Sequence, residues 1–398
     1  MKKYSKFIIP LLIIFSLFYL FPRLYNIQNK LEFSYDQGFH LMDVFDMVKT
    51  HKIRLIGPEV TSKLFMGREF FIGPHYYYIL TILGIISHWS PLTITILFVL
   101  LQWLFYLILV KYVFKFFGFL ASLVVSCVVA LSPYFVSNGR FFWNPHFIIP
   151  LSILFIIYFD NLFLASILWG MAFSFHYTAL FWALPILISL IYKKRFNLKN
   201  IFIIFCGFIL GDLPFFIFEL RHNFYNIKTI LLVFTHTRGA VTEYSPHYFI
   251  YPLFILIVWG LLLLSKKYKK PFYLLILLFL FFKSDPGLDQ IKGWTYPEQL
   301  KVRDLILQNG CPQNYNIATT IQGDTRFHSL RFLLIQKKCP PNKEDDYSTN
   351  KLLYLVAPSN RPPETETVWE ITSAKPFKII EKHTINQDIN LFLLNSKI

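Results

Sequence analysis

The sequence predicts a polytopic α-helical membrane protein, about nine spans plus interfacial helices, with a small C-terminal α/β soluble domain. Three observations predict it. Of 398 residues, 55% are hydrophobic and 19% aromatic while only 16% are charged, against about 25% charged in an ordinary soluble protein. The apolar residues gather in runs of membrane-crossing length. Beyond about residue 284 the composition changes abruptly to that of a soluble chain.

The net charge of +16 first suggests nucleic acid, but its distribution excludes that partner. Lys and Arg cluster at the ends of apolar runs, the pattern of topology signals and of contact with anionic headgroups in the bilayer. The basic start, residues 1–6, leads into an apolar run that closes on Phe21, Pro22 and Arg23. Small residues of a cleavage site are missing there, so this run reads as an uncleaved first span.

Further spans are expected at 91–113, 117–136, 146–160, 162–176, 177–192, 200–219, 247–265 and 271–283, after a first at 7–22. The run from Tyr76 to Ile86 is too short to cross and suits an interfacial or re-entrant helix. With Met1 cytoplasmic, alternate turns then hold Lys111 and Lys115, Asp160-Asn161, Lys193-Lys194-Arg195 with Lys199, and Lys266-Lys267 with Lys269-Lys270. Three of these four are strongly basic, as the positive-inside rule requires. The chain divides into a membrane domain, 1–283, whose first outer loop is 23–90, and an extracytoplasmic domain, 284–398. The latter reads as helix 297–308, strand 315–321, helix 325–337, strand 351–357, and strands around 377–384 and 389–394.

Cys127 and Cys206 lie in apolar runs and read as small hydrophobes. Cys311 and Cys339, the only cysteines of the exported domain, are candidates for a disulfide, with two free thiols as the alternative. No C-x-x-C spacing marks a zinc site.

Chemistry-bearing residues recur at the ends of the expected spans. Asp36, His40 and Asp43 share one helical face through i, i+4, i+7 spacing, and Asp36 can serve as a general base for an acceptor hydroxyl. A surface helix capped by Asp36, with the other two merely solvated, explains the same residues. Arg68 and His75 flank a Gly73-Pro74 helix start; Tyr76, Tyr77 and Tyr78 fit an aromatic belt equally well. Arg140 and Asn144 occupy the turn at 137–146, where Arg140 can clamp a phosphate or snorkel to headgroups. His176 tops one hairpin, and Arg221 and His222 end the span at 200–219.

On the predicted topology these groups share the outer face, where topology bias disfavours cations. They therefore ask for an anionic partner, and a lipid-carried phosphate fits. Asp212, inside a span, is expensive there and so a functional candidate; flanked by Gly211 and Pro214, it can instead sit in a local helix break where freed backbone N–H groups bond it, and its role stays open.

In the order of these motifs the chain resembles the GT-C class of lipid-linked-sugar glycosyltransferases, in particular the dolichyl-phosphate-mannose-protein mannosyltransferase-like and aminoarabinose-transferase branch. The resemblance covers about residues 7–283 and rests on Asp36-Gln37, Pro74-His75-Tyr76-Tyr77, Lys111 to Lys115, Ser132-Pro133 and Arg140. It implies transfer of a sugar from a polyprenyl-phosphate donor, with Asp36 as the essential carboxylate and Gln37 and Tyr77 beside the substrate.

Departures from the family pattern narrow the expectation. Gln37 stands where a second acid is common, and Asn144 where many members have an aspartate. Ile72-Gly73-Pro74 replaces the Lys-Pro-Pro of the aminoarabinose branch and argues against that substrate. The Trp-Trp-Asp of oligosaccharyltransferases is absent. A single certain carboxylate gives no good divalent-metal site, and no nucleotide cofactor is expected. Two other classes stay open, a lipid or sugar transporter and a membrane-anchored binding protein; a transporter should show repeat symmetry, and none is evident in the sequence. A membrane-anchored binding protein would leave the outer-face cluster without purpose.

Overall fold

A computed structural model describes residues 5–60, 68–236 and 293–396. The expected spans at 247–265 and 271–283, with the basic turn at 266–270, lie outside the described residues. The chain forms two compact units. The first comprises Met1–Tyr25, Met47–Ile85 and Ile96–Pro286, and the second Asn26–Asp46, Ile86–Thr95 and Gly287–Ile398.

The helices run α1 (Ser5–Leu24), α2 (Ile27–Lys30), α3 (Tyr35–Thr50), α4 (His75–Ile86), α5 (Pro91–Phe117), α6 (Phe119–Leu131), α7 (Pro133–Gly139), α8 (Ile148–Tyr158) and α9 (Leu162–Phe175). After them come α10 (Ala183–Tyr192), α11 (Leu198–Gly211), α12 (Leu213–Arg221) and α13 (Tyr225–His236), with 3-10 turns at Asn144–Phe147 and Tyr177–Trp182. Among the described residues, α5 alone is long and apolar enough to cross a bilayer, or three spans if each bent pair is one. Within the described residues, the other expected spans contain shorter apolar stretches of helix of 10–17 residues. The 12-residue α4 matches the short helix expected there.

The span expected at 117–136 is bent at Pro133, and the one expected at 200–219 is broken at Asp212, the local break that Gly211 and Pro214 allowed. Helices α6 and α7 meet at 58° and α11 and α12 at 87°. At the first bend Pro133 has no N–H for the carbonyl four residues back, that of Val129. Arg23, fully buried, supplies the missing donor. Its Nη2 donates to Val129 O and Phe135 O, both at 2.9 Å, and its Nη1 to Ala130 O at 2.8 Å and Tyr19 O at 2.9 Å. The guanidinium also stacks 3.7 Å over the Tyr19 ring. A cation at the C-terminal end of α6 is favoured by the helix dipole as well. At the second bend the helix breaks at Asp212, and Pro214 opens α12.

Helices α9 and α11 pack through small residues. A Cβ on Gly170 would fall 2.1 Å from Phe208 O, and one on Gly211 2.2 Å from Ile167 O. This small-xxx-small approach is how apolar helices associate without a hydrophobic gradient.

The second unit is built on a four-stranded sheet, ordered β1-β2-β4-β3, from β1 (Tyr315–Thr319), β2 (Leu352–Pro358), β3 (Phe377–Thr384) and β4 (Ile389–Ser396). Strands β1 and β2 are parallel and the other pairs antiparallel. The elements fall within a few residues of the expected ones. Helix α14 (Tyr296–Leu307) carries a Thr295–Glu298 capping box. Helix α15 (His328–Gln336) starts three residues later than expected, because Asp324 Oδ2 accepts the His328 N–H at 2.7 Å. A short helix, α16 (Trp369–Thr372), was not foreseen. Strand β3, largely exposed, is a charged edge with Lys378, Glu381 and Lys382, a pattern that discourages pairing with another chain. Cys311 and Cys339 are joined by a disulfide.

Residues 26–46 are bound into this same unit. Gln299 Nε2 donates to Phe33 O at 2.8 Å, and Phe33 packs edge-on against Tyr296 and Phe332. Gly38 lies so close to the His328–Ser329 backbone that a Cβ would sit 2.5 Å from it.

Candidate functional site

Asp36, Gln37, His40 and Asp43 all lie on α3, in the second unit. The helix is capped by Ser34 and Gln37 rather than by Asp36. Gln37 Oε1 accepts from Ser34 N at 3.2 Å and Ser34 Oγ at 2.9 Å, a Ser-x-x-Gln capping arrangement. Asp36 is thereby left as a half-buried residue of the first turn, where the helix dipole favours a carboxylate. Gln37 is fully buried. His40 is buried too, which corrects the picture of a solvated residue, and burial pushes its imidazole down to about 3. It is therefore a neutral group at ordinary pH. Asp43 is half-buried.

Arg68, His75, Tyr77, Arg140, Asn144, His176, Arg221 and His222 belong to the first unit. Several are drawn together by a short antiparallel pairing of residues 57–60 with 70–72, in which Gly57 N donates to Ile72 O at 2.8 Å and Val60 N to Phe70 O at 2.9 Å. Phe71 is then held from two sides: its N–H donates to Asn226 Oδ1 at 2.9 Å, and its carbonyl accepts from the Tyr177 hydroxyl. Arg68 lies 5.6 Å over the Tyr225 ring.

His75 begins α4 beside the end of α9. Its Nδ1 is 2.6 Å from Ser174 Oγ and 3.4 Å from Asp212 Oδ1. Asn144 Nδ2 donates to Phe175 O at 2.8 Å, and His176 Nδ1 accepts from Thr178 N at 3.2 Å to cap the following turn. Four of the expected residues, Arg68, His75, Asn144 and His176, thus border the same segments, 68–75 and 174–178.

Tyr76 and Tyr77 are buried rather than belt residues, with the Tyr76 hydroxyl donating to Phe142 O at 3.0 Å. Trp143, in the same turn as Arg140 and Asn144, is buried against Phe141 and His146. Arg140 is half-buried at the end of α7. Arg221 and His222 are exposed at the end of α12, and His222 stacks on Phe218 at 4.0 Å.

Ser174 and Glu219 escaped the sequence reading. Glu219 is fully buried and caps α13, accepting from Asn226 N at 3.1 Å, Asn226 Nδ2 at 2.8 Å and Ile227 N at 3.0 Å. A charged residue in an apolar helix end is a signal that could have found it; Ser174 offers none. Among the described residues no group of three His, Cys, Asp or Glu is placed to hold a metal ion.

Apolar helices bent at proline and aspartate, followed by a small mixed sheet, make a fold that a solved structure shares. The solved structure that carries this statement is the crystal structure of ArnT from Cupriavidus metallidurans in the apo state. It is similar over 98% of this chain and 98% of that chain, with a TM-score of 0.53 and 8% sequence identity. No family model and no curated protein sequence matches the chain.

Proposed function

We propose that the protein is a membrane glycosyltransferase that moves one sugar from a polyprenyl-phosphate donor to an acceptor on the extracytoplasmic face. The observation that carries this reading is the end-to-end likeness to ArnT, an aminoarabinose transferase. It is joined by a carboxylate, Asp36, in the first turn of a helix just beyond the first span. In this reading the N-terminus is cytoplasmic, and the loop 23–90 and residues 284–398 are extracytoplasmic. Asp36 takes the proton of the acceptor hydroxyl as that oxygen attacks the anomeric carbon, giving inversion. Arg68, His75, Arg140 and Arg221 stabilise the negative charge that grows on the departing phosphate.

The test is release of free polyprenyl phosphate from labelled sugar-lipids by the purified protein in lipid. Release from one of a panel of sugars is expected. Silence toward every sugar tried, in protein of native thermal stability, overturns the reading.

A further inference from the structure

His75, Ser174 and Asp212 come from three separate segments and meet against one glycine. A Cβ on Gly73 would fall 2.0 Å from Ser174 Oγ and 2.5 Å from both Asp212 carboxylate oxygens. Ser174 and Asp212 are fully buried, whereas the His75 side chain is 21% exposed. Of the three, only the imidazole reaches solvent.

Neither Asp212 oxygen meets hydrogen-bond geometry with a partner, and the group within ion-pair distance is the His75 ring, its Nδ1 at 3.4 Å. A buried carboxylate left so sparsely bonded is costly. Its position explains what it does. With Ser174 Oγ at 2.6 Å and the Asp212 carboxylate behind it at 3.4 Å, the hydrogen of the imidazole is favoured on Nδ1, on the side of Ser174, and Nε2 lies on the opposite side of the ring. A carboxylate behind a histidine fixes the tautomer and offsets the charge when the outer nitrogen carries a proton.

We propose that His75, set by Asp212 and Ser174, is the proton donor to the phosphate that leaves the donor lipid. The proposal rests on the glycosyl-transfer reading. As the bond between the anomeric carbon and the phosphate oxygen breaks, its electron pair stays on that oxygen. The Nε2 proton of the imidazolium passes to the phosphate group, and the lipid departs as a singly protonated phosphate monoester. The acceptor oxygen bonds to the anomeric carbon and its proton passes to the base of the transfer reaction. Between turnovers that base returns its proton to water and His75 takes one up. Asp212 and Ser174 touch neither substrate and are positioning residues.

Facing the imidazole are Ser174 and Phe175 from α9, Asp212 from the α11–α12 break, and Tyr78 from its own helix. Tyr177 is within electrostatic reach of Asp212. Asp212 is the one carboxylate within ion-pair distance of His75 among the described residues.

The experiment is a double-mutant cycle on the transfer rate, with His75→Gln, Asp212→Asn and the pair, each checked for thermal stability. His75→Gln is expected to lower kcat about 100-fold, the scale of general acid catalysis, and Asp212→Asn about 30-fold. Because Asp212 acts through His75, adding Asp212→Asn to His75→Gln should change kcat less than about twofold. In Asp212→Asn the fall of kcat at high pH should begin at lower pH than in wild type, since the imidazolium has lost its counter-charge. A merely structural role would lower the whole profile without displacing it. Should Asp212→Asn fail to fold, Ser174→Ala replaces it and must lower kcat with the donor KM unchanged. Additive losses, an undisplaced pH limb, or wild-type kcat in the single variants each overturn the proposal. An inactive wild type would instead overturn the glycosyl-transfer reading.

Discussion

Arg23 Nη2 lies 2.9 Å from the carbonyl oxygen of Val129, the acceptor that Pro133 leaves without a helical donor. One buried side chain from α1 thereby completes the bend between α6 and α7. Replacing it with Leu removes the side-chain donor to the Val129, Ala130 and Phe135 carbonyls, of which Val129 has lost its helical donor to Pro133. An unsatisfied buried polar group costs about 1–3 kcal/mol, so Arg23→Leu should lower the thermal midpoint clearly and reduce yield. An unchanged midpoint would show that the bend holds without the guanidinium.

Asp36→Asn should retain the fold, because Ser34 and Gln37 make the helix cap and Asp36 is only half-buried. Transfer should nonetheless fall by a factor of 100 or more, the scale of a lost general base. Activity within about tenfold of wild type, roughly 1.4 kcal/mol on the barrier, would remove Asp36 from the catalytic role.

Arg140→Ala and Arg221→Ala should each weaken donor binding, since a hydrogen bond to a charged group is worth about 1.5–3 kcal/mol. Equilibrium binding of a labelled sugar-lipid reads this out directly. Unchanged affinity in both variants would assign these arginines to the headgroups.

Labelling of introduced cysteines from the outside tests the orientation. Positions within 300–390 should react in intact cells, whereas Lys194→Cys and Lys267→Cys should react only after permeabilisation, in keeping with the basic inner turns. The reverse pattern would invert the topology and move Asp36 to the cytoplasmic side.

His328 sets a pH signature in the second unit. Burial would lower its imidazole, but hydrogen bonds to Asp324 at 2.7 Å and Glu344 at 2.6 Å outweigh burial and raise it. The His328 hydrogen bond is in turn the main cause that holds Glu344 below the usual carboxylate range. The raised histidine contributes fully below about pH 6.5, its ordinary value, and the contribution is lost as pH climbs through the folded value. The lowered glutamate contributes fully above about pH 4.3 and is lost as pH falls through its folded value. Hydrogen-exchange protection of α15 should therefore plateau between these limits and decline on both sides. His328→Gln should remove the alkaline decline; if that decline persists, another group causes it.

Much of the architecture was legible because it is written in local pattern. The elements at 297–394 follow soluble alternation and turn chemistry, and all appear within a few residues of their expected places. Hydropathy located the apolar helices but carries no information on direction, so the 58° bend at Pro133 was missed, whereas the break at Asp212 was legible from Gly211 and Pro214 beside it. The candidate site was legible where charge stood out against apolar surroundings, as at Asp36, His75 and Asp212. Ser174 was not, because a serine inside a helix is ordinary, and its meaning depends on a partner 99 residues away. Likewise nothing local announces that Gly38 must lie against His328.

The pairing of Gln299 with Phe33 has a temporal side. It spans 266 residues of chain, so a ribosome must finish nearly the whole protein before the surface that seats α3 exists. Phe33 and Gly38 wait exposed until Tyr296, Phe332 and His328 have been made. Contacts of such long sequence separation form late. A chain released early would therefore hold its apolar helices yet lack the support beneath Asp36, and the carboxylate on which the proposed chemistry turns would be seated only after synthesis has passed Phe332.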